Sequence, residues 1–155
     1  MVHESFDATK EAVTSYEFTM SLRIRHPDAD PALITRTLGL QPQHSWRAGE
    51  PRQGATGESP GGTYHESYWM CRLAREQELP TETPSVEGAL LQALSSLRRS
   101  FDFVQQLHAT GGAAEIQINI FASQEFRIEL LAEAAALLGR MGITMAIDVK
   151  PLAAR

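Results

Sequence analysis

A chain of 155 residues with one cysteine, Cys71, and a formal net charge of -5 fits a single domain that needs no disulfide. The acidic balance argues against a general phosphate-backbone binder, and the lone thiol excludes an internal bridge or a thiolate metal cluster within one copy. No apolar run reaches the ~18–20 residues that cross a bilayer, so the expected setting is a soluble protein of a reducing cytoplasm, with no membrane partner.

Residues 1–15 hold no sustained period and lack the basic-then-apolar order of a leader, so they read as a flexible N-terminal arm. Tyr16, Phe18, Met20, Leu22 and Ile24 then alternate with Glu17, Thr19, Ser21, Arg23 and Arg25, the signature of a strand with one buried face. His26-Pro27-Asp28 ends it. Asp30-Pro31 supplies an N-cap and a proline at the first helical position, and Gly39 a left-handed stop. A helix over 31–38 follows, with Leu33, Ile34, Thr37 and Leu38 turned inward.

After Pro42, Ser45–Ala48 reads as a short edge strand and the Gly/Pro-rich residues 51–63 as a mobile loop. Tyr64–Leu73 is extended, with Trp69, Cys71 and Leu73 on one face and Tyr68 and Met70 on the other. A charged connection over 74–82 leads to a cap at Thr83-Pro84-Ser85 and a helix that buries Val86, Leu90, Leu94, Leu97, Phe101, Val104 and Leu107, with a break expected at Ser100–Asp102. Gly111-Gly112 closes it. Ile116, Ile118 and Ile120 mark the next strand, with Glu115, Gln117 and Asn119 on its polar face. Ser123 is read as the cap of a third helix burying Leu130, Leu131, Ala134, Leu137, Leu138 and Met141. Ile143, Met145, Ile147 and Val149 form a last strand, and 151–155 a tail.

This order predicts an α+β fold over residues 16–150: a ferredoxin-like split β-α-β sandwich with an appended C-terminal helix and strand, and a mixed sheet carrying its helices mainly on one face. The opposite face is left polar, open or covered by a partner.

The densest chemistry lies between Gln41 and Glu50. His44, Trp46, Arg47 and Glu50 combine an imidazole, an indole, a guanidinium that suits a carboxylate or phosphate, and a carboxylate; with Trp69 they form the candidate ligand- or partner-binding set. The competing reading is structural: Trp46 plugs the core beneath the loop, Arg47 pairs with an acid and Gly49 makes a turn. No catalytic residue, cofactor or metal site is assigned. The five histidines show no paired ligand spacing, Gly-x-Ser-x-Gly is absent, and Cys71 reads as a small core residue. Arg23, Arg25, Arg36, Arg47 and Arg52 form a local basic run, best read as solvated or paired, and Asp148 is assigned to an ion pair with Arg23 or Arg25.

Asp-Pro before a helix ending Leu38-Gly39-Leu40, then Pro42, Trp46 and Gly49-Glu50, a later Trp69, and Gly142-Ile143 leading to Ile147-Asp148-Val149 resemble the domain-of-unknown-function family numbered 4279 over about residues 16–150. The resemblance implies a small bacterial cytoplasmic protein of unassigned activity and carries over no catalytic residue. The functional expectation is a non-catalytic interaction module, regulatory or immunity-type, that holds a protein partner or another copy of itself. The alternative is a small-molecule sensor or unrecognised enzyme with a pocket of His44, Arg47, Glu50 and Trp69. Nucleic acid is opposed by the acidic balance and by the absence of a basic-aromatic RNA-binding pattern.

Overall fold

The computed structural model describes residues 16–54, 60–75 and 85–152. The expected N-terminal arm, part of the 51–63 loop, most of the charged connection and most of the tail lie outside those residues. Along the chain come β1 (Tyr16–His26), α1 (Pro31–Leu38), β2 (His44–Trp46), β3 (Ser67–Arg75), α2 (Val86–Leu97), a 3₁₀ turn (Arg98–Ser100), α3 (Phe101–Ala109), β4 (Ala113–Ala122), α4 (Ala132–Met141) and β5 (Ile143–Pro151). The fold is α+β, built on one mixed five-stranded sheet in the order β2-β3-β1-β4-β5. All pairings are antiparallel except β4 with β5.

β1 occupies the centre, and its burial alternates along the whole strand. Register carries that alternation to its neighbours: Leu22 lies opposite Cys71 on β3 and Ile116 on β4, and Ile24 opposite Trp69. Residues paired across a sheet share a face. Phe18, Met20, Leu22, Ile24, Trp69, Cys71, Ile116, Ile118 and Ile120 therefore make one apolar surface, and Ile34, Leu90, Leu94, Val104, Leu107, Leu138 and Met141 from all four helices join it in a single cluster. Each fully buried side chain of this size contributes roughly 1.5–3 kcal/mol. The other face carries Thr19, Ser21 and Arg23 beside Asn119, Gln117 and Glu115.

Local signals decide the ends of α1. Asp30 accepts from Ala32 N at 3.0 Å, Pro31 opens the helix, and Gly39 closes it at φ 68°. Its inward face differs from the expectation, however. Ile34 is buried, but Leu33 and Thr37 are exposed, and Thr35 turns inward to accept the Trp69 indole N–H at 3.0 Å.

The long helix breaks where Ser100 and Asp102 suggest, through the 3₁₀ turn. Beyond α3 the chain passes so close to β1 that a Cβ on Gly112 would lie 2.7 Å from Leu107 O and 2.8 Å from the His26 ring. That ring fixes the corner. His26 Nδ1 accepts the N–H groups of Asp28 and Ala29 at 3.1 and 2.9 Å, so its proton sits on Nε2, 2.7 Å from Thr110 Oγ1.

Further expectations need correction. Phe101, expected on the buried side of the long helix, is exposed where α3 begins after the 3₁₀ turn. Ser123 does not cap a helix: α4 begins only at Ala132, and Leu130 and Leu131 are exposed. Residues 123–131 place Phe126 and Ile128 against the core at a spacing of two, and Phe126 packs on Tyr16 at 5.4 Å between ring centroids. An extended segment thus outcompetes helix until the alanine-rich run, where helix propensity is highest. Asp148 pairs with neither Arg23 nor Arg25, because β4 separates β5 from β1; it accepts from Gln117 Nε2 at 2.8 Å.

Leu22→Ala is expected to cost about 2–5 kcal/mol in urea unfolding, while Leu33→Ala stays within about 0.5 kcal/mol. Equal losses would mean that α1 docks by a different face.

Candidate functional site

Edge strand β2 aligns His44, Ser45 and Trp46 with Met70, Trp69 and Tyr68 of β3. Trp46 and Tyr68 thereby share the face away from the helices. Tyr64, just before β3, also stacks on the indole. Its ring lies 4.4 Å from that of Trp46 at 12°, and Tyr68 lies 4.6 Å away at 24°. Trp46 is the ring shared by both stacked pairs and is partly exposed.

The bend after Trp46 is held mainly through its backbone. Ala48 N donates to the buried Ser67 hydroxyl at 3.0 Å, and Glu50 N reaches back to Arg47 O at 3.1 Å. Gly49 takes φ 88°, a conformation that L side chains rarely adopt. Gly49 N donates to Tyr64 O, Tyr64 N donates to Glu50 O at 3.0 Å, and Pro51 bridges to Thr63. The 51–63 loop consequently has a paired stem, although residues 55–59 at its centre fall outside the described chain.

Gln43, His44, Ser45, Trp46, Glu50, Pro51, Gln53 and Tyr64 line a shallow cavity of about 320 Å³ along the outer side of β2. Three of the five candidate residues meet there: His44, Trp46 and Glu50. Arg47 instead lies 3.9 Å from Asp30 at the head of α1, an exposed pair of small energetic weight. Trp69 is separated from the others altogether. It is 0% exposed on the helix side of the sheet, and its indole is bonded to Thr35. A pocket of His44, Arg47, Glu50 and Trp69 is therefore not assembled. Tyr64, Tyr68, Gln43 and Gln53 lie around Trp46 and escaped the sequence reading: Tyr68 arrives through the β2–β3 register, Tyr64 through its backbone pairing with Gly49 and Glu50, and Gln53 through its N–H to the Tyr64 hydroxyl, while Gln43 borders the same cavity.

Among the described residues no group of three or more His, Cys, Asp or Glu side chains could hold a metal ion. Burial pushes the Cys71 thiol above its ordinary value, which disfavours the thiolate, and Cys71 lies in the core. No described helix is long and apolar enough to cross a membrane.

The model of a domain of unknown function, DUF4279, matches residues 16–152. The chain belongs to the DUF4279 family. Comparison with curated proteins and with solved structures returned no match. In this DUF4279 chain the residues carrying the family resemblance have local roles: Gly39 stops α1, Trp46 centres the ring stack, Gly49 permits the bend and Trp69 fills the core.

If the stack is a cooperative unit, a double-mutant cycle of Trp46→Ala and Tyr68→Ala is expected to show about 0.5–1.5 kcal/mol of coupling in unfolding free energy. Zero coupling would remove the stack as a structural unit. In native protein, Cys71 is expected to react with iodoacetamide far more slowly than in urea, measured by mass shift; equal rates would contradict its burial.

Proposed function

We propose that this DUF4279 chain is a non-catalytic interaction module that binds a protein partner with the Trp46–Glu50 bend and the adjoining β2 edge. The observation that carries this reading is the Tyr64–Trp46–Tyr68 stack, a partly exposed aromatic unit at the end of an edge strand, opposite the face that holds the core. Aromatic side chains of limited freedom are the usual anchors of protein interfaces. The neighbouring edge leaves backbone groups for an added strand, and His44, Glu50 and Gln53 supply a polar rim. A cytoplasmic regulatory or immunity-type role suits such a surface.

A second reading, a small-molecule sensor or an enzyme, is favoured by the cavity beside β2. It would draw on His44 and Glu50, without Arg47 or Trp69.

Affinity capture from the native cell with the full chain as bait tests the first reading. Trp46→Ala is expected to reduce retention of the captured protein about tenfold or more, with an unchanged far-UV circular dichroism spectrum. Equal retention by wild type, Trp46→Ala and Glu50→Ala would overturn the assignment.

A further inference from the structure

Among the described residues β5 forms the far edge of the sheet from the Trp46 bend and pairs only with β4. Leu152 N donates to Ala122 O at 3.0 Å, so even-numbered residues at this end of β5 direct their backbone groups toward β4. The groups of Ile147 and Val149, and the carbonyl of Pro151, point outward by alternation. Side chains at these positions are unusually apolar for an open edge. Ile147 and Val149 lie opposite Ile118 and Ile120, on the helix side, yet they are 40% and 56% exposed.

Leu130 and Leu131, just before α4, are exposed as well, at 47% and 42%. α4 turns back over β5 from Gly142, and its ten residues rise about 15 Å, the length of about four or five strand residues. An apolar corner beside unpaired strand hydrogen-bonding groups favours an added strand.

The charges identify that strand. Lys150 and Pro151 would ordinarily discourage pairing at an edge. Antiparallel self-pairing about a two-fold axis at Val149 instead sets each Lys150 opposite Asp148 of the other copy. It also places Val149 opposite Val149 and Ile147 opposite Pro151. Ile147 N–H can donate to the Pro151 carbonyl across the axis; Pro151, without an N–H, returns no bond to the Ile147 carbonyl, so each end of the ladder closes with a single hydrogen bond. The two Asp–Lys pairs fall on the polar face, and the apolar side chains on the helix side.

We propose that a second copy of this chain pairs with β5 in this register, joining the two sheets into one continuous sheet. This contact is independent of the Trp46 surface, which stays exposed in both copies.

Light scattering after size exclusion, with the full chain at increasing concentration, provides the test. Wild type is expected to shift from monomer to dimer. Val149→Lys, at an exposed position, is expected to remain monomeric with an unchanged circular dichroism spectrum. Lys150→Asp places acids opposite each other and is expected to weaken the dimer about tenfold, whereas adding Asp148→Lys restores the pairing. A wild-type chain that stays monomeric overturns the proposal. So does a dimer that survives Val149→Lys and ignores the charge exchange. A dimer lost only in Trp46→Ala would belong to the other surface and would equally overturn it.

Discussion

Burial of one face of β1 is the constraint on which the rest of the molecule depends. Tyr16, Phe18, Met20, Leu22 and Ile24 must leave water together, and a strand can bury alternate residues only by turning one side to a second layer. The register with β3 and β4 extends that requirement over the sheet, and every helix docks on the surface it creates. A one-residue slip of β4 would place Gln117 and Asn119 among the helices, so the polar face helps to fix the register too. Gln117, 5% exposed, illustrates the point: its amide is anchored to Asp148.

Elements whose signals are local were legible in the sequence. Asp30-Pro31 and Gly39 bounded α1, the alternation around Leu22 and Ile118 gave two strands, and Ser100–Asp102 marked the break after α2. Failures occurred where distant packing decides. The residues after Ser123 read as helix, yet Phe126 packs on Tyr16 and the helix forms only from Ala132. Likewise, Thr35 turns inward because an indole needs an acceptor, which no helical periodicity could announce.

The candidate site shows the same division. A bend at Trp46–Glu50 followed from composition, but the ring stack depends on β2 meeting β3 so that Trp46 faces Tyr68. Trp46 and Trp69 fall in one candidate set from the sequence, although a Gly/Pro-rich loop separates them. Pairing of Trp69 with Ser45, one step out of phase with Trp46, sends the two indoles through opposite sides of the sheet.

Their separation makes the protein its own two-channel optical probe. Trp69, dry and bonded to Thr35, has an emission tied to the integrity of the packed layers. Trp46, flanked by phenol rings at the rim, senses what touches the bend. With each indole replaced in turn by phenylalanine, quenching at the rim without a red shift from the interior would separate a docking event from loosening of the fold.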